Sequence, residues 1–259
     1  MLFRSVLSAM MVGQAAAIKY EQLAGSPGWI TDAWCNRFLP PQITRAYNIA
    51  AGQLGWRGVT LGAAGAAPTQ PPPAWRVSRA QNGGGILVNW SPSDLDYLLS
   101  ICGWTLKPRA AYAVTWPIAP HLSARVDPAS DAENHYLALV SCDGGAVIHA
   151  ERGEFTSIRT ENAWQIIGSR ASLRLHMTTT DAKQIWLDEA DADKGVTSRL
   201  FWEGNEDAAL VPNGAVQDFA EAILHGRPPA TDLAQALAVE RIFDAIYASA
   251  ASGRVAPIA

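Results

Sequence analysis

The chain has 259 residues, of which 49% are hydrophobic and 17% are charged, a composition that supports a folded core in one large or two small domains. Its formal net charge of -4 leaves no basic stripe, so nucleic acid is not an expected partner. No segment has the roughly 18 to 20 consecutive apolar residues that span a bilayer, so we expect no membrane insertion.

Cysteine usage indicates a reducing compartment. The three cysteines, Cys35, Cys102 and Cys142, are odd in number, widely spaced and without a metal-ligand pattern. This pattern is typical of buried thiols. We therefore expect a cytoplasmic protein without a metal site.

The first element in chain order admits two interpretations. Residues 1–17 combine Arg4, a short apolar run and the small residues 15–17, which imitates a secretory signal. The apolar spacing continues through Ile18 and Leu23, which favours an amphipathic helix instead.

A strand at 29–34, a helix at 41–52 and a second strand at 56–61 are expected next. The helix has proline in its first turn and glycine near its end, the positions that these residues prefer. Residues 63–73 are rich in alanine, glycine and proline, and we expect them to form an exposed, partly extended linker.

Residues 83–99, GGGILVNWSPSDLDYLL, predict a glycine turn that leads into a helix. Consecutive glycines tolerate positive φ and the close approach of other groups. Spacings of three and four predict a buried apolar stripe of Ile86, Leu87, Trp90, Leu95, Leu98 and Leu99. Asp94 and Asp96 fall outside this stripe. They are expected to line a site, unless the segment is an ordinary core helix with Asp94 as a local cap.

The rest of the chain predicts an antiparallel meander closed by two helices. Strand-like runs with alternating polarity or tight turns lie at 110–116, 135–142, 146–151, 163–167, 172–177 and 183–187. The acidic run 188–193 is expected to be a solvated hairpin end, not a metal site. This order of elements predicts an α+β fold, with an open, mostly antiparallel sheet and its helices on one face.

Four segments resemble one family of oxidoreductases. The helix resembles the pattern GG-x-x-L-x-D-x-G-x-H-x-x-D of the glucose-fructose oxidoreductase, inositol dehydrogenase and MocA family. Asn89 stands for the first Asp, Ser91 for the Gly and Ser93 for the His, while Asp96 keeps the last acid. The other three segments are similar to the family's interdomain junction, its I-x-G-x-x-G-x-L hairpin and its closing helix pair: 34–40, 166–173 and 219–229 with the helix that follows.

The resemblance implies a domain organisation and partners. Residues 1–35 correspond to the last helix and strand of a Rossmann dinucleotide-binding domain, and 36–259 to the substrate-binding and oligomerisation domain. Family members are NAD(P)-dependent sugar and polyol dehydrogenases in which a second subunit commonly covers the open sheet face. A sugar or polyol ligand, NAD or NADP and a homo-oligomer are thereby implied. The alternating side chains expected on that face include Leu137, Leu139, Val147 and Leu175.

The resemblance also implies site residues. Those at substrate-binding positions are Asn36, Arg37, Trp75, Arg76, Asn89, Trp90, Ser93 and Asp96. Ser93 occupies the position of the proton-transferring His, and Asp94 is the first alternative for a base, with Asp96 beside it. A serine hydroxyl has no basicity comparable to that of imidazole near neutral pH. Arg76 is alternatively a loop arginine packed over tryptophan by a cation-π contact.

The sequence lacks the fingerprint that holds a dinucleotide. It contains no G-x-G-x-x-G turn and no E-K-P segment, and residues 62–65 run into prolines where a phosphate loop would enter a helix. We expect no cofactor on this chain alone, and the nucleotide could come from a separate chain. Two functions stay open: the substrate domain of a sugar-type dehydrogenase, inactive as this chain alone, or a non-catalytic sugar-binding or dimerisation domain.

Overall fold

The structure is a computed structural model that describes residues 56–64, 71–156, 163–169, 171–176, 183–204, 218–229 and 232–259. The elements expected at 1–17, 29–34 and 41–52 lie outside these ranges. So do Asn36, Arg37 and the predicted domain boundary.

The strands of the described residues form one open sheet. In chain order they are β1 (Trp56–Ala64), β2 (Pro108–Trp116), β3 (His135–Cys142), β4 (Val147–Gly153), β5 (Ala163–Gly168), β6 (Ala171–His176), β7 (Lys183–Asp191), β8 (Gly195–Gly204) and β9 (Ala256–Pro257). Their order across the sheet is β8-β7-β6-β5-β1-β4-β3-β2-β9. β1 pairs in parallel with β4, and every other pairing is antiparallel. The predicted α+β class with a mostly antiparallel sheet is confirmed.

The predicted strands differ from the observed ones mainly at their ends. β1 continues through Ala64, into the segment that was expected to be a linker. β8 and β9 were not predicted. β8 is exposed along almost its whole length, so it shows no alternation of buried residues, and β9 has only 2 residues. The acidic run does end in an exposed hairpin turn between β7 and β8, although Asp188 itself pairs with Arg174.

The two longest helices of the described residues lie on one face of the sheet, as predicted. The helices are α1 (Arg79–Asn82), α2 (Ile86–Ile101), α3 (Pro120–Ser123), α4 (218–224) and α5 (Leu233–Ser252). α2 and α5 pack on the sheet and on each other; α5 begins with a capping box between Asp232 and Gln235 and ends at Gly253 in the left-handed region. Across the ranges that the structure describes, no helix is long and apolar enough to cross a membrane.

Two of the three cysteines can be placed in the core. Cys102 and Cys142 are buried and free. Burial raises the pKa of both thiols, that of Cys142 to about 11, so they are poor nucleophiles near neutral pH. Cys35 lies outside the described residues, and the compartment remains a prediction.

Two close contacts require glycine in the turn before α2. Gly83 ends α1 at φ 86°, in the left-handed region where glycine is favoured. A Cβ at Gly84 would overlap the hydroxyl of Tyr247, and one at Gly85 would overlap the carbonyl oxygen of Glu133. The turn therefore brings α2 against both the C-terminal helix and the segment that precedes β3.

A buried carboxylate holds this junction together. Oε1 of Glu133 accepts hydrogen bonds from the backbone N–H groups of Gly85 (2.9 Å) and Leu87 (3.2 Å) and from the hydroxyl of Tyr247 (2.8 Å). The Glu133 carbonyl accepts the N–H of Ile86 (3.0 Å). Burial raises the pKa of the Glu133 carboxyl, although its hydrogen bonds favour the ionised form. We call this set of contacts the Glu133 anchor.

The anchor makes stability depend on pH. Because the folded-state pKa of Glu133 is raised, its ionisation costs stability as the pH rises from the unfolded-state pKa through the folded one. We expect the wild type to lose free energy of unfolding relative to Glu133→Gln, which keeps an acceptor without the charge, as the pH rises above the ordinary pKa of a glutamic acid. Glu133→Ala leaves three donors unbonded, so we expect it to lower the free energy of unfolding by about 3 kcal/mol or more at every pH. Urea unfolding at several pH values measures both effects. If the free energies of unfolding of the wild type and of Glu133→Gln change with pH in the same way, the raised pKa of Glu133 is contradicted.

The sheet face opposite the helices carries exposed apolar and aromatic side chains that the described chain does not cover. In β3, Tyr136, Ala138 and Val140 point to the helices, whereas Leu139 alternates with them and is 43% exposed. We call this second surface the open face; its exposed large side chains include Tyr112, Trp116, Leu139, Val147 and Ile167. The side chain of Leu175 lies outside what is described. An apolar surface of this kind is typical of an interface, and its cover by a second subunit remains a prediction.

We expect the chain to self-associate through the open face. Leu139→Asp would place a charge in the centre of that face and should convert the oligomer into monomers. Leu224→Asp, at a 76% exposed position in α4, is the matched control and should not change the mass. Light scattering at tens of micromolar gives the answer, and a strictly monomeric wild type would refute the expectation.

Candidate functional site

Burial along α2 departs from the expected single stripe. Ile86, Leu87, Leu95, Leu98 and Leu99 are at most 3% exposed, as predicted. The remaining stripe residue, Trp90, is 38% exposed, whereas Asp94 and Asp96 are only 8% and 5% exposed. The expected burial of Trp90 was therefore wrong, and the buried part of α2 includes the two aspartates outside the expected stripe. The reason is that α2 is enclosed by β3, β4, α5 and the 3₁₀ helix Ala74–Val77, so several of its sides are covered.

Asn89 and Ser91 make their hydrogen bonds inside the protein. Nδ2 of Asn82 donates to Oδ1 of Asn89 (3.1 Å), and Nδ2 of Asn89 donates to the backbone oxygen of Arg76 (3.3 Å). Ser91 is fully buried and hydrogen bonds to the hydroxyl of Tyr136 (2.6 Å). The side chain of Asn89, at a position where the resemblance implies substrate contact, and that of Ser91, which stands for the family's Gly, therefore stabilise the fold.

Asp94 is paired with an arginine of the sheet. Nε and Nη2 of Arg152, in β4, donate to its two carboxylate oxygens at 2.8 Å each. Burial raises the pKa of Asp94, while the guanidinium of Arg152 opposes that shift. Asp94 is thus neither the local helix cap that was considered nor a free base, because both of its oxygens already accept hydrogen bonds from a cation.

Two guanidinium groups lie over the indole ring of Trp90, whose side chain is partly exposed. The guanidinium carbon of Arg152 is 5.5 Å from the ring centroid and that of Arg76 is 5.9 Å from it, within the range of cation-π attraction. The alternative interpretation of Arg76, a cation-π contact with a tryptophan, is therefore confirmed. Its aromatic partner, however, lies on α2 and is not the adjacent Trp75.

Arg76 has a carboxylate partner of its own. Its Nη2 donates to both oxygens of Glu154, which follows β4, at 2.8 and 2.7 Å. Burial raises the pKa of Glu154, and the nearby charge of Arg76 works against that shift. Trp90 and the two ion pairs, Arg76 with Glu154 and Arg152 with Asp94, together form a compact surface that we call the Trp90 platform.

The platform is suited to binding a ligand. Small-molecule sites combine aromatic and apolar side chains with a few fixed polar groups, and the platform offers an aromatic ring and two fixed guanidinium groups. The side chain of Ser93 is outside what the structure describes, and Trp75 is half-buried in the 3₁₀ helix. Of the residues expected at the site, Arg76 and Trp90 are brought together, and Asp94 joins them through Arg152.

Sequence reasoning missed Arg152 and Glu154. A signal was present, because Ile148, Ala150 and Arg152 alternate along β4 and so point to the same face of the sheet. An arginine at the end of a buried face needs a carboxylate partner, and Asp94 was an available one. Glu154 lies beyond the strand, so no periodicity would have placed it.

The described residues contain neither a phosphate loop nor a group of three or more metal-ligating side chains. The glycine turn before α2 resembles an anion site, because backbone N–H groups at a helix N-terminus attract anions. In this chain the N–H groups of Gly85 and Leu87 are already bonded to Glu133. The turn therefore holds a carboxylate of the protein itself.

Several solved structures share this fold. The chain is 21% identical to an aldose-aldose oxidoreductase from Caulobacter crescentus complexed with glycerol, covering 93% of this chain and 67% of that one with a TM-score of 0.67. It is 21% identical to an oxidoreductase domain protein from Kribbella flavida (99% and 72% covered, TM-score 0.68). It is 18% identical to levoglucosan dehydrogenase in complex with NADH and levoglucosan (95% and 70% covered, TM-score 0.69). At these identities the likeness shows the fold.

A comparison of the sequence with models of protein families identifies the family of the chain. No curated protein matches the chain. The model of the C-terminal alpha/beta domain of the Gfo/Idh/MocA oxidoreductase family, however, matches residues 49–258, which is most of the chain. The chain therefore belongs to the Gfo/Idh/MocA oxidoreductase family, and residues 49–258 are its C-terminal alpha/beta domain.

Proposed function

We propose that this chain binds a sugar or polyol at the Trp90 platform, as the substrate-binding domain of an oxidoreductase of its family. The observation that carries the proposal is the position of Trp90. Its side chain is exposed on a helix whose other described side chains are buried, and two guanidinium groups lie over its ring. A flat aromatic surface can pack against the C–H face of a sugar ring, while N–H donors bind its hydroxyl groups. Levoglucosan dehydrogenase, with levoglucosan bound in its crystal structure, has the same fold.

We propose further that the chain alone does not catalyse NAD(P)-dependent dehydrogenation. Asn89, Ser91 and Ser93 replace the family's Asp, Gly and His, and a serine cannot accept a substrate proton near neutral pH as an imidazole can. The carboxylate of Asp94 is ion-paired with Arg152 and is therefore not a free base. NAD or NADP is implied by the family, and a separate nucleotide-binding chain could provide it.

A second function, assembly, is supported by a different observation. The open face presents several exposed apolar and aromatic side chains, and the polar side chains of Asn89 and Ser91 make hydrogen bonds inside the domain. A domain that has kept its fold and its interface without a reaction would have both properties. It would dimerise normally and bind no sugar.

Sugar binding depends on Trp90 if the proposal is correct. We expect at least one member of a panel of sugars, polyols and inositols to bind the purified chain, and Trp90→Ala to weaken that binding about tenfold or more. Trp116→Ala is the matched control, because Trp116 is similarly exposed (42%) but lies on the open face. Calorimetry or saturation-transfer NMR measures the affinities. Equal losses in the two variants, or no binding by the wild type, would refute the platform as a sugar site.

The chain alone should neither bind NADH nor turn over a sugar. The described residues contain no phosphate loop to hold a pyrophosphate, and Ser93 lacks the basicity of histidine. Ser93→His restores one missing group and should still give no activity without a nucleotide-binding domain. NADH fluorescence titration and nicotinamide absorbance with NAD, NADP and the sugar panel test both points. Saturable micromolar binding or wild-type turnover would overturn this part of the proposal.

A further inference from the structure

We infer that Glu154 and Asp94 determine ligand specificity by making the Trp90 platform electrically neutral, so that it selects uncharged sugars or polyols and rejects sugar acids and sugar phosphates. This inference rests on the proposed function, because it concerns the same site. It names a property that the family fold alone does not decide, namely the charge of the ligand.

The charges of the platform cancel within the protein. Arg76 is bound by Glu154 and Arg152 by Asp94, each pair with two hydrogen bonds of 2.7 to 2.8 Å. The four side chains are only 11% to 21% exposed, so water screens these charges less than it would at an open surface. Each cation next to the indole therefore already has an anion in contact with it.

An anionic ligand would have to compete with these carboxylates. To reach the guanidinium of Arg76 it must displace Glu154, or else lie beside it and accept the repulsion between like charges in a partly dehydrated site. Displacement would leave the Glu154 carboxylate without its cation. Specificity of this kind comes from an unfavourable contact with the wrong ligand.

An uncharged hydroxyl group meets no such obstacle. The hydrogen bonds of Arg76 use Nη2, and those of Arg152 use Nε and Nη2. Among the described residues Nη1 of each guanidinium has no partner, so it can donate to a ligand oxygen while both ion pairs stay intact. Hydroxyl groups can thus be bound without any rearrangement of the platform.

The test removes one negative charge from the platform. Glu154→Gln keeps the shape of the side chain and frees the charge of Arg76. Glu189→Gln is the matched control, because Glu189 also pairs with an arginine that lies over an aromatic ring, Arg199 over Phe201, but at an exposed position in the β7–β8 hairpin. Calorimetry or NMR with the pairs glucose and glucuronate, galactose and galacturonate, and inositol and inositol phosphate gives the ratio of affinities for the anion and its neutral counterpart.

We expect the wild type and Glu189→Gln to favour the neutral member by about tenfold or more, and Glu154→Gln to shift that ratio toward the anion by a similar factor. Thermal unfolding checks that the variant folds, and Asp94→Asn, which frees Arg152, provides a second variant. A wild type that binds the anion as tightly as the neutral ligand would overturn the inference, as would an unchanged ratio in both folded variants.

Failure of this inference can be distinguished from failure of the proposed function. If the wild type binds neutral sugars and neither variant gains anion binding, sugar binding stands and the role of the carboxylates is refuted. If the wild type binds no member of the panel but Glu154→Gln gains glucuronate binding, the carboxylates do exclude anions and the proposed sugar function fails.

Discussion

The carboxylate of Glu133 determines where helix α2 begins, and the candidate site depends on that position. Its Oε1 accepts N–H groups in the first turn of the helix, where the helix dipole favours a negative charge. The hydroxyl of Tyr247 bonds to the same oxygen and ties the turn to α5. Trp90 and Asp94 lie one and two turns further along, so a shift of the anchor would move the indole and the carboxylate relative to Arg152.

The polar groups around the site are bonded mainly to one another. Asn82, Asn89 and the backbone oxygen of Arg76 bond to one another, and the two ion pairs complete the surface around Trp90. Buried polar groups that are fully bonded fix one arrangement of a site, because any alternative leaves a donor or acceptor without a partner. These contacts favour one arrangement of the site, in which the exposed part of the Trp90 side chain and Nη1 of Arg76 and Arg152 stay available to a ligand.

Sequence patterns were sufficient for the strands of the meander, because residues such as Tyr136, Ala138 and Val140 alternate with exposed neighbours. They failed for β8, which has no buried face to pattern its residues, and for the burial of Trp90. A hydrophobic stripe assumes one covered side, whereas α2 is covered on several. Pro92 inside α2 also runs against helix propensity, and tertiary packing maintains the helix there. The site residues from β4 were missed because ion pairs between distant segments leave no periodic trace in a sequence.

The position of β1 has a consequence for how the chain folds. β4 and β5 follow each other in the chain, yet β1 lies between them in the sheet, parallel to one and antiparallel to the other. β2, β3 and β4 can pair with their chain neighbours as soon as they are synthesised, whereas both edges of β1 must wait for partners that emerge much later. Contacts between distant segments slow folding, and a strand that waits with both edges unpaired is exposed to aggregation. We therefore expect the local meander to form first and the insertion of β1 to be the late step that joins the two halves of the sheet.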